Sequence, residues 1–536
     1  MLMFRVLYSL AFFLAVVPLA DAQRPFRPDL LSLLPDDFAV CVVMHDLRGN
    51  AERWERADWL KRFRQSPLGR SYLDAPEIKQ LERFQADMKT HLGLDWETLR
   101  DEILGDMVVL AYSPGPKNNP DDESGLILLH LQKPKRFIEV VDKLNDAMIQ
   151  AKKLEVTALD HKGTTYYRRQ EKNKAQYYAV TDSLAVIATK EGMVKALLDR
   201  RASASRDTTW TKRFQRAGVD SAFLTLCVNP RMLDAEVIQE SKKDDPLAGY
   251  WKGLDAIFIS AAIHDAAELR IVIQANVERL TVWAKSAFTQ TMGTSALWQR
   301  FPERSILTFA TKTDFAVAVD AITMLAPKED QSLLKAFQDY LPNIGPDWGV
   351  CMLPAKDAKA LPQAMFAVAV KRGDDKRRVD ETLYHLVEFF TGIIVRQHNE
   401  KNPNSPIQMK MVMQGKVEVK FLDGNKHFPE GFRPAWALKD GYLLFATSPE
   451  SITTFRLHDK RPDDGKGSPI LRISAPELAR LLDQRREHIL ATMNEKDAKK
   501  NLDNVISLLQ LFDHLTFTQQ GGAGQATWTI RLTPAK

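Results

Sequence analysis

The sequence predicts an α+β protein made of two tandem, diverged repeats, each a mostly antiparallel sheet covered by helices. Three observations predict it: one succession of strands and helices occurs twice in the same order, most strand-like runs are joined by tight turns, and apolar and polar residues alternate along them. Tight turns join antiparallel neighbours, because parallel neighbours need a crossover of roughly a dozen residues. Helices packed on such sheets define the α+β class.

The first element is a leader. Arg5 supplies a positive start, Leu7 to Leu19 an apolar stretch, and Ala20-Asp21-Ala22 the small-x-small pattern read by signal peptidase, so residues 1–22 are expected to be removed and Gln23 to begin the mature chain. The apolar stretch is shorter than the ~20 residues of a spanning helix, and Pro18 interrupts it. Leu383 to Val395, the most apolar later segment, carries His385, Glu388 and Gly392 and is expected to be a core helix. A soluble mature protein follows, periplasmic or extracellular.

The first unit, 33–292, opens with Leu34-Pro35-Asp36-Asp37 before the strand Phe38 to Met44, and the second, 301–532, opens with Phe301-Pro302-Glu303-Arg304 before Ser305 to Ala310. Gly293 to Gln299 is the expected junction. Gly125 to Met148 then gives strand, basic turn and helix, with Phe137, Val140, Val141, Leu144 and Met148 on one helical face; Ala364 to Phe390 repeats the order, with Val379, Leu383, Leu386, Val387 and Phe390 as the stripe. A strand pair follows in each unit, Glu155 to Asp160 with Thr164 to Arg169, and Lys410 to Gln414 with Lys416 to Phe421. Next come hairpins turning at Asp182-Ser183 and at Asp440-Gly441, the second being the stronger signal because glycine tolerates the positive φ of a primed turn. Each unit closes with a strand (Phe223 to Val228; Ile470 to Ile473), a helix started by Pro230 or Pro476, and a last hairpin (Ala256 to Ile263 with Leu269 to Ala275; Leu515 to Thr518 with Thr527 to Leu532).

With 536 residues, 45% apolar and 27% charged, the chain has an ordinary globular composition. Its net charge of +5 is dispersed, and the cluster Lys371, Arg372, Lys376, Arg377 and Arg378 is interrupted by Asp374 and Asp375, so no concentrated phosphate-tracking face is expected and nucleic acid is rejected as the main partner. Cys41, Cys227 and Cys351 are expected to be buried thiols. A single disulfide stays open in an oxidising compartment, with no pair selected.

The search for chemistry yields no catalytic, cofactor-binding or metal site, and no cofactor. His-Glu-x-x-His, Cys-x-x-Cys, Gly-x-Ser-x-Gly, the Walker loop and Gly-x-Gly-x-x-Gly are all missing from the sequence. Gly521-Gly522-Ala523-Gly524 lies between two strands and is expected to be a hairpin loop. The histidines are scattered; His130 and His385 are expected to be hydrogen-bonded core or edge residues, and His45 beside Asp46 is the least ordinary pair. Asp36-Asp37, Asp121-Asp122-Glu123 and Asp463-Asp464 sit among turn residues and lack the alternating ligands of a calcium loop. Asp95-Trp96-Glu97 and Asp347-Trp348 occupy matching points of the two units and are expected to be helix-start acids beside core tryptophans.

The order of LLPDDFAVCVV, LGLDWETLRDEILGDMVVLAY, GLILLHLQKPKRFIEVVDKL and YYAVTDSLAVIATKEGMVKALL resembles exported bacterial, planctomycete-like proteins grouped as the domain of unknown function number 3352. The resemblance covers most of the first unit and implies no activity, cofactor or site residue. Duplication without a catalytic set favours a non-enzymatic envelope or periplasmic protein with a binding or structural role, its partner unknown. The rival expectations are a carrier for a lipid or other apolar ligand, and a hydrolase with dispersed catalytic residues.

Overall fold

Two-residue turns set the sheet registers. Thr181 pairs with Leu184 across Asp182-Ser183, and Lys439 with Tyr442 across Asp440-Gly441. Asp440 and Gly441 have φ of 52° and 81°, the left-handed pair of a type I′ turn, whose twist matches that of the flanking strands. The computed structural model describes residues 26–104, 106–115, 122–151, 153–172, 174–203, 207–235, 237, 246–280, 285, 293–312, 343–355, 360–371, 379–424, 427–458, 467–492, 497–522 and 524–535. The leader 1–22, Asp121, the turn 461–465 and the basic cluster after Lys371 lie outside the described residues.

The chain divides into two compact units, the first ending at Thr281 and the second beginning at Val282. The segment Gly293 to Gln299 belongs to the second: Gly293 bridges Lys312, and Leu297 is fully buried in that unit's core.

The first unit holds β1 (Val40–His45), β2 (Met107–Ser113), β3 (Ser124–His130), β4 (Glu155–His161), β5 (Thr164–Glu171), β6 (Lys174–Thr181), β7 (Leu184–Ala188), β8 (Leu224–Val228), β9 (Leu254–Ile263) and β10 (Ala267–Ala275). Their pairings are all antiparallel and run β4-β5-β6-β7-β3-β2-β1-β8-β9-β10. The second unit holds β11 (Leu307–Lys312), β12 (Ile344–Leu353), β13 (Gln363–Val370), β14 (Gln408–Gln414), β15 (Val417–Asp423), β16 (Ala435–Lys439), β17 (Tyr442–Ala446), β18 (Ser468–Ser474), β19 (Phe512–Gly522) and β20 (Gln525–Pro534). Among the described residues the pairings within this unit are again antiparallel, in the order β14-β15-β16-β17-β13-β12-β11-β18-β19-β20. The two orders coincide strand for strand.

Both faces of the central strands are covered, so these strands are apolar on both sides. In the first unit, Leu31 and Leu34, Val194 and Leu197 of helix Glu191–Ser203, and Trp210 and Phe214 of helix Thr209–Ala217 form one core with Cys41, Val43, Val109 and Leu128. Thr208 starts the last of these helices with a capping box to Thr211, which satisfies two amide groups at the helix start. A separate core joins Met44, Val108 and Leu129 to Leu94, Ile103, Phe137 and Val140. In the second unit Leu297, Phe301, Ile452 and Phe455 pack with Ala310, Cys351, Ala367 and Leu444, while Tyr384, Leu383 and Val387 of helix Val379–Lys401 pack with Val368, Trp436 and Leu443.

Some helical stripes differ from expectation. Leu144 and Phe390 are exposed, and in the first unit Asn145 is buried in place of Leu144, donating to the Tyr178 hydroxyl at 3.2 Å. Pro230 begins a 3-10 turn, Pro230–Leu233, that passes into α-helix at Asp234 and Ala235. The preceding Asn229 makes no side-chain cap: its oxygen accepts from Arg213 at 3.4 Å, and its NH2 donates to the carbonyls of Asp36 and Phe38 at the entry to β1.

All three cysteines are buried free thiols. Cys41 and Cys227 face each other in the β1–β8 register. The bonds from His45 N to Phe223 O and from Asn229 N to Ala39 O make Cys41 and Cys227 a hydrogen-bonded pair, in which side chains stand farther apart than in the alternate pairs. Burial pushes both of their thiols well up and that of Cys351 to about 12, so all are held protonated. Among the described residues, no helix is long and apolar enough to cross a membrane.

Candidate functional site

A buried polar cluster of the first unit gathers at one end of its central strands, where β1 delivers His45 and Asp46. His45, Met107 and His130 form one cross-strand row over β1, β2 and β3. Paired residues of antiparallel strands project to the same face, and strands lie ~4.8 Å apart, so the two histidines flank Met107 on one face. His45 is 2% exposed, and its ring meets Phe26 edge-on at 5.4 Å.

Asp46 turns the chain out of β1. Its φ of 49° is left-handed, a conformation that aspartate tolerates better than most residues, and it caps helix Leu47–Arg56. One carboxylate oxygen accepts from Gly49 N at 3.1 Å and the other from the Arg53 guanidinium at 3.0 Å. A Cβ on Gly49 would stand 2.4 Å from the Asp46 carboxylate, so the capping geometry requires glycine there. Asn50, itself buried, donates to the carbonyls of both His45 and Asp46. Arg53 extends the set to His264, its guanidinium lying 3.2 Å from Nδ1.

Asp106 joins this group to β3. Its carbonyl accepts from Asp46 N at 2.7 Å, and its carboxylate lies 2.7 Å from His130 Nδ1 and accepts from Gln132 at 2.6 Å. The structure thus brings His45, Asp46 and His130 together, with Arg53, Asp106 and His264 as partners that the sequence reading missed. Asp106 carries a local signal, since it precedes β2 as Asp46 follows β1. His264 carries none, because its partner lies 211 positions away. An imidazole oriented by a carboxylate is a part that general bases use. Here the carboxylates also serve backbone amides, an arginine and a glutamine, which is the chemistry of a structural lock.

The other singled-out residues lie apart. Asp95 caps the short helix Trp96–Thr98, and the Thr98 amide at 2.7 Å holds its carboxyl below the usual range. Asp347 and Trp348 differ from the helix-start expectation, for both lie within β12. Asp347 accepts from the Tyr442 hydroxyl at 3.2 Å, and burial, reinforced by this carboxylate, pushes the phenol up to about 12. His385 is an exposed helix residue 3.3 Å from Glu388, not a core one. Gly522 pairs with Gln525 at the tip of the β19–β20 hairpin. Among the described residues no group of three or more His, Cys, Asp or Glu side chains converges as a metal site.

No protein-family model matches the chain. Neither a curated protein nor a solved structure matches it.

Proposed function

We propose that the chain is an exported, non-enzymatic envelope or periplasmic protein in which one α+β unit has been duplicated, and that it acts by binding a partner or as a structural element. The observation that carries the reading is the coincidence of two ten-strand orders, β4 to β10 around β1 to β3 and β14 to β20 around β11 to β13. Two independent origins for that order, with the first three strands of each unit inserted between the seventh and the eighth, are less economical than one copying event. The His45 cluster supports the non-enzymatic part, because Asp46 and Asp106 are committed to holding helix Leu47–Arg56 and β3 in place. Kinship with the exported proteins of the domain of unknown function number 3352 belongs to the same proposal.

Export is tested by expressing the full chain with its leader in a bacterium, fractionating the cells, and sequencing the mature N-terminus. A chain beginning at Gln23 outside the cytoplasm is expected; an uncut cytoplasmic chain refutes export. The non-enzymatic reading is tested with panels of ester, peptide, glycoside and phosphoester substrates. Turnover that His130→Ala or Asp106→Asn abolishes, in variants that keep the parent circular dichroism, would overturn it in favour of a hydrolase. Native mass spectrometry of protein from its own host is expected to show the bare chain mass, and a co-purified lipid would move the reading to a carrier.

A further inference from the structure

Outside the His45 cluster, a second histidine pair stands at the end of helix Val379–Lys401, in the other unit. His398 lies in the last turn of that helix, and His427 follows β15. Their Nε2 atoms are 3.4 Å apart, with the rings nearly perpendicular at 89° and centroids 4.6 Å apart. The Ser405 carbonyl oxygen lies 2.8 Å from the same His427 Nε2. Three potential donor atoms therefore converge: two imidazole nitrogens and one carbonyl oxygen.

The backbone presents these atoms on short, tied segments. Asn402 N donates to the His398 carbonyl and Ser405 N to the Asn402 carbonyl, which fixes the turn that aims the Ser405 oxygen. His427 N donates to the Gly424 carbonyl, anchoring the second imidazole to the end of β15. Hydrogen bonding accounts for the approach of His427 to the Ser405 carbonyl but not for that of His398 to His427. A neutral imidazole has one N–H and one lone pair. If His427 Nε2 carries its proton, that single hydrogen is shared between the Ser405 oxygen and His398; if it does not, Nε2 and the Ser405 oxygen are two acceptors 2.8 Å apart.

We propose that His398 Nε2, His427 Nε2 and the Ser405 carbonyl form a binding site for a zinc-class divalent cation. Zinc–imidazole bonds of ~2.0–2.1 Å at the tetrahedral angle place two ligand nitrogens about 3.3–3.4 Å apart. The observed nitrogen separation of 3.4 Å matches that edge, whereas the 2.8 Å between His427 Nε2 and the Ser405 oxygen is shorter than it, so the carbonyl must draw back by about half an ångström and the rings must turn slightly for all three to ligate. Both imidazoles bind through the Nε2 lone pair with the ring proton on Nδ1, which for His398 requires the Asn402 amide, 3.5 Å from Nδ1, to turn its oxygen toward the ring. The carbonyl supplies a third ligand and water the fourth. Imidazole with an oxygen donor suits zinc, nickel and copper rather than magnesium or calcium. The cation would clip the end of helix Val379–Lys401 to the segment that lines a cavity of about 320 Å³ with Gly424, Phe428, Glu430 and Arg433.

The test is isothermal titration of the full mature chain with zinc alone. One equivalent per chain is expected, with the affinity lowered at least about tenfold by either His398→Ala or His427→Ala. His385→Ala, which removes an exposed histidine of the same helix, is expected to leave binding unchanged. Both site variants lie at the surface, and unchanged melting in the metal-free state shows that they fold. No saturable heat at zinc concentrations up to about 1 mM overturns the site. Binding equally strong in His398→Ala and His427→Ala, which would place the metal elsewhere among the eleven histidines, overturns it as well.

Discussion

Trp210→Ala is expected to lower the stability of the first unit by about 3–5 kcal/mol, the cost of emptying a large aromatic site that neighbours cannot refill. Trp210 has no solvent exposure, and its core includes strand residues from the middle of the sheet. Its indole N–H donates to the Pro35 carbonyl at 2.8 Å, joining helix Thr209–Ala217 to the segment that leads into β1. Removing the ring strips packing from the helix and leaves that carbonyl without its indole donor. Trp210→Phe separates the two effects: it keeps most of the apolar volume and loses the N–H, with an expected cost of about 1–3 kcal/mol. Urea unfolding followed by far-ultraviolet circular dichroism measures both. An alanine variant with the parent midpoint sinks the assignment of Trp210 as a keystone of this core.

Asp46→Ala is expected to cost about 2–4 kcal/mol through three separate losses: the cap, the tolerance of a left-handed backbone, and the partner of Arg53. Asp46 is fully buried, whereas Arg53 keeps 29% of its side chain in water, so the orphaned guanidinium rehydrates and the penalty stays below that of a fully buried pair. Asp46→Asn retains a side-chain oxygen for the Gly49 amide on a residue that suits a left-handed cap, but sets an NH2 donor against Arg53 in place of the charged acceptor, at an expected cost of about 1–2 kcal/mol. Equal losses in the two variants, measured in the same urea series, would show that charge pairing dominates and that capping contributes nothing.

The hairpins and their order were legible because their signals are local. Asp440-Gly441 needs no distant residue to make a primed turn, and alternation along Leu269 to Ala275 marks a strand by itself. Pattern failed where a side chain was already committed elsewhere. Asn229 stands where a helix N-cap would, but its oxygen accepts from Arg213 and its NH2 holds the entry to β1, and the first turn after it is 3-10 before α-helix at Asp234. Leu144 continues the helical stripe begun by Phe137, yet Asn145 takes the buried position because the Tyr178 hydroxyl waits there. The buried polar cluster was half visible. His45-Asp46 stood out as a pair, while Arg53, Asp106 and His264 reach it from the following helix, the next strand and a hairpin near the end of the unit. The members of the His398–His427 pair stand 29 positions apart, with no spacing motif to announce them.

The place of β1 in its sheet governs how the unit can assemble. β1 is the first strand made, yet it lies between β2 and β8, and Cys41 meets Cys227 only after a loop of nearly two hundred residues has closed. Contacts so distant in sequence slow folding, because the entropy of loop closure is spent before the contact repays it. One edge of β1, with its ladder of amides and carbonyls, stays unsatisfied until β8 arrives, and during that interval it can pair with a β8 strand from another chain. Domain exchange through β8 is therefore the misfolding route built into this topology, and it grows with concentration during refolding.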